Sequence, residues 1–289
     1  MAVVAGLRSG LDLLARLTVV VGGVMTVVTV VSLGLVLAVG DAEPQPERRA
    51  GEQFSLEVAE LDTVDQLLDR LEEEVAVSSG EDLDVVIALD DLMRRKFLHG
   101  YTAMQWYDNW VLSVIHRVVP EKELMGYLDP DEIASRDLGI CSQQAILFQH
   151  LASSLGYRVG SVRFFLPGLP HFASAVEVDG EWYLFDSNAE PSYDRRDAGV
   201  LEALLRRDVG VIADLYGEEA AIGAELGEVT LSDIDAFPAT TGRRIQQASA
   251  ALSWASGPIL MVLGLLVVNR RARSRDAEGL DARERIGRI

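Results

Sequence analysis

Residues 139–166, GICSQQAILFQHLASSLGYRVGSVRFFL, and residues 171–188, HFASAVEVDGEWYLFDSN, decide how this chain folds. The first stretch opens as an apolar helix that Gly156 stops, and then the period changes. Strand-like runs follow at 160–166, 172–178 and 182–185, an order of helix, strand, strand, strand. Between the last two runs stand Asp179 and Gly180, the dipeptide that favours a two-residue type I′ turn. With those two as the loop, Val178 faces Glu181, Ala173 faces Asp186 and His171 faces Asn188. Asp186 is then a diagonal neighbour of His171 on one sheet face, within reach of an imidazole nitrogen. Phe172, Val176, Tyr183 and Phe185 alternate to the other face, which receives its own apolar packing.

Cys141 is the single cysteine, so no intrachain disulfide and no cysteine-rich zinc site can form. A buried core thiol, an intermolecular bridge and a nucleophile remain as readings. The residue begins the helix, where unpaired backbone N–H groups and the helix dipole favour a thiolate. Helical spacing puts it on one face with Ala145, Phe148, Ala152 and Leu155, turned toward the sheet. Of the four histidines, His150 lies about 180° round the same helix and cannot take the thiol proton. His99 and His116 fall upstream with no carboxylate spacing that suggests metal ligation, and neither a metal nor any other cofactor is expected. His171 begins a strand in the same half as the cysteine, with a carboxylate at strand spacing. A thiol, a base and a polar group that orients the base are what nucleophilic catalysis requires.

Residues 139–188 resemble the transglutaminase-like superfamily in the pieces GICSQQAILFQHLASSLGYRVGSVRFF and HFASAVEVDGEWYLFDSN. The resemblance implies an α+β fold with a papain-like core, one helix against antiparallel strands. It implies Cys141 as nucleophile, His171 as general base and acid, and Asp186 as the orienting carboxylate. Two departures bear on the chemistry. No upstream side chain announces itself as the oxyanion donor that the family commonly supplies; Trp106, Asn109, Trp110 and Ser135 are candidates, beside the backbone N–H of Cys141. The large flanking β-domains of calcium-dependent cross-linking members are also missing, which favours amide hydrolysis over protein cross-linking.

Outward from this core the chain is helical, then apolar. Residues 41–53 read as a polar linker. Residues 54–120 read as an all-helical region: Thr63 caps a helix carrying Val64, Leu67, Leu68 and Leu71, a second run covers 83–98 before Gly100, and a third covers 102–119 before Pro120. The core occupies 121–190, and 191–244 is polar and mostly helical in pattern, with no assignable motif. Residues 17–40 and 245–269 contain no ionisable side chain, and each is long enough to cross a bilayer of about 30 Å as a helix. Gly22, Gly23 and Gly34 are small residues that could let such helices pack closely.

The chain of 289 residues has 26 basic and 45 acidic side chains, and 49% of it is apolar by type, which excludes a disordered polymer. Between the spans lie 17 basic and 40 acidic residues, so the whole negative balance belongs to the loop. Arg8 and Arg16 in the 1–16 segment, and Arg270, Arg271, Arg273 and Arg275 in the 270–289 tail, place both ends in the cytoplasm and the loop outside. A cleaved leader competes for the first span, since Ala38 and Gly40 have cleavage-site spacing, but the run exceeds the usual 7–15 residues, and either reading leaves the loop outside. The acidic body disfavours nucleic acid. The expected protein is therefore a two-pass protein of a bacterial inner (plasma) membrane with an extracytoplasmic body. Its expected activity is that of a cysteine acyl hydrolase or acyltransferase on envelope peptides, proteins or polymers, with the lipid bilayer and membrane proteins as partners. A non-catalytic transglutaminase-like scaffold in an assembly such as polysaccharide export is the alternative. A cytoplasm-only reporter inserted near Glu190 is expected to stay silent; activity there would reverse the orientation.

Overall fold

A computed structural model of the chain describes residues 2–39, 51–76, 81–119, 122–166, 169–189, 191–217 and 228–286. The expected linker lies outside these residues except for 51–53. The described chain divides into two compact units, one formed by 1–40, 104–121 and 245–289 and the other by 41–103 and 122–244.

The second unit mixes helix and antiparallel sheet. Helices α2 (Leu56–Ala59), α3 (Val64–Val75) and α4 (Asp82–Lys96) come first. Thr63 caps α3 as its spacing predicts: its hydroxyl accepts from Gln66 N at 3.2 Å while the Gln66 amide oxygen accepts from Thr63 N at 3.2 Å. Helix α4 ends earlier than the apolar pattern suggests. Leu98 and His99 leave it to form β1 (Leu98–His99), which pairs in parallel with β2 (Leu138–Gly139), so the region upstream of residue 120 is not wholly helical. This short ladder fixes the backbone one residue before the helix that carries Cys141. Helix α6 (Pro130–Ala134) starts with proline at its first position, behind an Asp129 cap.

Helix α7 (Cys141–Ser154) is followed by β3 (Arg158–Leu166), β4 (Leu169–Val178) and β5 (Glu181–Phe185), after a turn at Gly156 with φ of 94°. Asp179 at φ 53° and Gly180 at φ 87° make the tight turn between β4 and β5, both in the left-handed region that type I′ requires. The pairing keeps the expected register from Val178 with Glu181 to Ser174 with Phe185 but stops there, so the expected pairs of Ala173 with Asp186 and His171 with Asn188 do not form. A fourth strand, β6 (Thr230–Ser232), extends the sheet to the order β5-β4-β3-β6; three residues are too few to show a period, so the sequence pattern does not reveal it.

Each sheet face is covered. Phe148 of α7 stacks on Phe185 at 5.4 Å, and the buried Gln149 amide donates to Ser174 Oγ at 3.1 Å and accepts from Ser161 Oγ at 3.2 Å. The opposite face, with Val162, Phe164, Ala173, Ala175 and Leu184, packs on α8 (Gly199–Leu205) and α9 (Val209–Tyr216) through Leu201, Leu204 and Ile212. Behind the end of β5, the fully buried Asp90 of α4 accepts from Arg94 Nε at 2.8 Å, from an Arg195 terminal nitrogen at 2.8 Å and from Ser187 Oγ at 2.7 Å. Arg94 also donates to the Asp186 carbonyl at 3.2 Å, so this cluster holds the turn that follows β5.

The first unit contains α1 (Ala2–Val39), α5 (Trp110–Val118) and α10 (Thr240–Ile286), the last running through Pro258. α1 and α10 are long and apolar enough to cross a membrane, and most of each apolar window faces outward, unlike the core helix of a soluble protein. They touch at glycines. A methyl group on Gly22 would collide with the Met261 backbone, one on Gly257 would lie 2.5 Å from Thr26 N, and one on Gly264 would lie 2.9 Å from Val19 N. Gly23 and Gly34 have open space, so of Gly22, Gly23 and Gly34 the first alone serves close packing.

Removing one member of a buried ion cluster leaves its partners uncompensated, at about 3–5 kcal/mol. Asp90→Ala is accordingly expected to lower the melting temperature of the detergent-solubilised chain by on the order of 10 °C. A variant that melts with the parent would show that the cluster does not hold the body together.

Candidate active site

The site forms where the β4–β5 ladder stops. Pairing ends at Ser174 with Phe185, while β4 continues to pair with β3 as far as Leu169. Beyond that point β5 turns away and the edge of β4 from His171 to Ala173 is open on one side. Cys141, Ala145, Phe172, Ser174, Asp186 and Asn188 are among the residues lining a small cleft there. The cysteine comes from the helix on one face of the sheet, and the histidine from the strand end that faces the other.

His171 Nε2 and Asp186 Oδ2 are 2.6 Å apart, and both side chains are buried. Burial disfavours a charged imidazole, but the charge and hydrogen bond of Asp186 outweigh it. A hydrogen bond and charge interaction with Cys141 add to the effect, and the His171 pKa is pushed up to about 10. Since Nε2 is taken by Asp186, Nδ1 is the ring nitrogen left for the sulfur. The structure thus pairs His171 with Asp186 and sets Cys141 on the cleft that Asp186 lines.

Asp186 is held from several sides. Burial alone would raise its pKa, but His171, the Ala189 amide on Oδ1 at 3.1 Å and the Tyr216 hydroxyl on Oδ2 at 2.8 Å together lower it. Tyr216 is partly buried, and desolvation of its hydroxyl and the Asp186 charge raise its pKa well above the usual phenol value, so it remains a donor. Its ring and that of Phe164 pack on the His171 ring at 5.7 and 5.0 Å. Sequence reasoning misses Tyr216, because it ends a helix forty-five residues beyond His171 in a segment without a motif. No register rule connects it to the hairpin.

Around the helix start, Ile140 has no polar side-chain atom with which to cap the first-turn amides of α7. Gln143 instead reaches back, its oxygen accepting from Ile140 N at 3.2 Å and its nitrogen donating to the Thr102 carbonyl at 3.3 Å. Asn188 Nδ2 donates to the Gly139 carbonyl at 3.3 Å and lies 2.7 Å from His99 Nδ1, giving His99 a place beside the cleft. The side chains weighed as oxyanion donors are engaged in other ways. Asn109 caps α5 and donates to Ser249 Oγ, Trp110 Nε1 donates to the Ser253 carbonyl, Ser135 Oγ donates to Glu132, and Trp106 stacks edge-on against Tyr107. His150 is half-buried, not fully solvated, and its pKa is lowered by that burial and by Arg243. Among the described residues no group of three or more His, Cys, Asp or Glu side chains is arranged to hold a metal ion.

No family model and no curated protein matches the chain. A solved structure described as a crystal structure of a TGase is similar over 57% of this chain, at 14% sequence identity and a TM-score of 0.33. The chain spans 39% of that structure's length. A likeness at this level carries no argument about fold or activity.

The titration of His171 has a definite sign. Its folded pKa of about 10 exceeds the ordinary 6.5, so its contribution to stability is complete below pH 6.5 and is lost as pH rises through about 10. Asp186, depressed below its ordinary 3.8, contributes above that value and loses its contribution as pH falls toward its folded value. In Asp186→Asn the main influence that opposes burial is removed while that of Cys141 stays. The His171 ring, followed by NMR of its carbon-bound protons, is then expected to titrate well below 10. An unchanged titration would mean that Asp186 does not set the charge of the ring.

Proposed function

We propose that this chain is a membrane-anchored cysteine acyl hydrolase or acyltransferase of the transglutaminase-like kind. Its body, with a papain-like core over 121–190 and helical additions at 54–120 and 191–244, stands outside the cytoplasmic membrane. The single observation that carries the reading is the buried His171–Asp186 pair, with Nε2 and Oδ2 2.6 Å apart, beside a cleft that Cys141 and Asp186 both line. An imidazole clamped by a buried carboxylate and turned toward a lone thiol at a helix start supports acyl transfer more directly than a packing role.

In this reading the sulfur of Cys141 attacks an amide or related acyl carbon, and the carbonyl π electrons move to oxygen. The Cys141 backbone N–H, uncapped at the helix start, donates to that oxyanion. Collapse breaks the bond to the leaving amine, which takes the proton held at His171, and leaves a thioester. Water or an amine then attacks the thioester, His171 accepts the proton of the incoming group, and the departing sulfur restores the starting thiolate. Asp186 and Tyr216 hold the ring orientation through both half-reactions and do not themselves transfer a proton. The two long apolar helices supply the anchor, and the cationic ends favour a two-pass topology with envelope peptides, proteins or polymers as substrates.

A thiol-reactive acyl probe applied to the intact protein in membranes tests the proposal. Labelling of Cys141 is expected to be rapid, absent in Cys141→Ser, and slowed by about 10²-fold or more in His171→Ala. Labelling that ignores His171, or none at all, would leave a non-catalytic scaffold as the reading.

A further inference from the structure

Helix α5 carries an apolar stripe that the described residues leave uncovered. Val114 is 54% exposed, Val118 79% and Val119 46%, with Ile115 beside them, while Leu112 on the other side is fully buried. Nine residues rise only about 14 Å, too short to cross a bilayer. Yet α5 belongs to the same compact unit as the two long apolar helices.

Its attachment is polar and lies inside their apolar runs. The Asn109 cap donates through Nδ2 to Ser249 Oγ at 2.8 Å and to the Gln246 carbonyl at 3.2 Å, and its oxygen accepts from Ser253 Oγ at 3.1 Å. Val111 N donates to Ser253 Oγ at 3.2 Å, and the Ser253 carbonyl accepts from both Trp110 Nε1 at 3.2 Å and Thr29 Oγ1 at 2.7 Å. Ser249 and Ser253 fall within the ionisable-free stretch 245–269, and Thr29 within 17–40. Non-spanning backbone is tolerated at such a depth only when protein groups satisfy it, as they do here.

We propose that residues 104–119 form a third membrane-associated element, with α5 at the outer membrane–water interface and its stripe in the acyl chains of a phospholipid bilayer. The inference rests on reading α1 and α10 as spans. Three of the four tryptophans, Trp106, Trp110 and Trp254, belong to this unit, and such rings collect at the headgroup level. Arg117 flanks the stripe, where its stem can follow the acyl chains and its head can meet phosphate. Asp108, which accepts from Gln105 N at 2.6 Å just before the cap, keeps the entrance at the interface and out of the hydrocarbon. The long helices of the unit expose the same kind of surface, at Val30, Leu37, Leu252 and Ile259 among others, so lipid is the one solvent common to all three elements.

Nitroxide labels placed on the full chain in phospholipid vesicles, in a Cys141→Ser background, test this. Val114→Cys and Val118→Cys are compared with Val30→Cys in the first long helix and Asp69→Cys on the exposed face of α3. The ratio of oxygen to water-soluble nickel collisions at 114 and 118 is expected to exceed that at 69 several-fold and to approach that at 30. Values like those at 69, with 30 still reading as lipid, would overturn the inference and leave the spans intact. Protection from both reagents would indicate a protein partner and overturn it equally. An aqueous reading at 30 would remove the spans and this proposal with them. Two independent positions keep the test decisive if one variant fails to fold.

Discussion

A carboxylate buried as completely as Asp186 is tolerated only where every direction around it supplies a hydrogen or a positive charge. His171, Tyr216 and the Ala189 amide do so, from a strand, a helix end and a turn. The requirement reaches further, because Arg94 holds the Asp186 carbonyl and Asp90 gathers Arg94, Arg195 and Ser187. Residues from α4, β4, the turn after β5, the segment before α8 and α9 are thus drawn together by the placement of one acidic group. Apolar packing of α7, α8 and α9 on the sheet makes the body compact, and the carboxylate with its partners gives that body one fixed polar end.

That polar end is also an edge. The β4–β5 ladder stops at Ser174 and Phe185, so β4 offers an open side to the first turn of α7. A longer ladder would cover that side and separate the sulfur of Cys141 from the imidazole. The parallel β1–β2 pair completes the arrangement by fixing Gly139, where the Phe97 and Gln144 side chains lie 3.2 and 3.0 Å from the position a Cβ would take. A larger residue there would press on those two side chains, which would have to give way by a few tenths of an ångström. The geometry at Cys141 therefore depends on a strand ending early and on a backbone passing close, both local features with consequences several residues away.

The unit that carries the two long apolar helices is organised by another principle. Between α1 and α10 there is no hydrophobic drive once both lie in lipid, so close backbone approach at Gly22, Gly257 and Gly264 and the Thr29 to Ser253 hydrogen bond take its place. The same serine serves α5, which makes the contact between two long helices and the seat of a short one a single polar cluster. Span length was legible in the sequence because missing charge is a property of each residue taken alone. Which glycine packs was not legible, since Gly22 and Gly23 differ only in the direction in which the helix turns them.

Period, turn chemistry and charge are one-dimensional, and what they encode could be read directly. The apolar helix that starts at Cys141, the Asp179-Gly180 turn, the register from Val178 with Glu181 to Ser174 with Phe185, and the two uncharged runs all follow from spacing along the chain, whereas the end of that ladder short of His171 and Asp186 does not. The tertiary structure alone decided how non-neighbouring segments meet. It brought Tyr216 to Asp186 and Asp90 to Ser187, added β6 to the sheet edge, turned Leu98 and His99 from helix into strand, and seated Asn109 on α10. Each of these contacts joins residues far apart in sequence through satisfaction of a buried polar group or a backbone edge. That demand arises only after the chain has excluded water, so no local pattern announces it in advance.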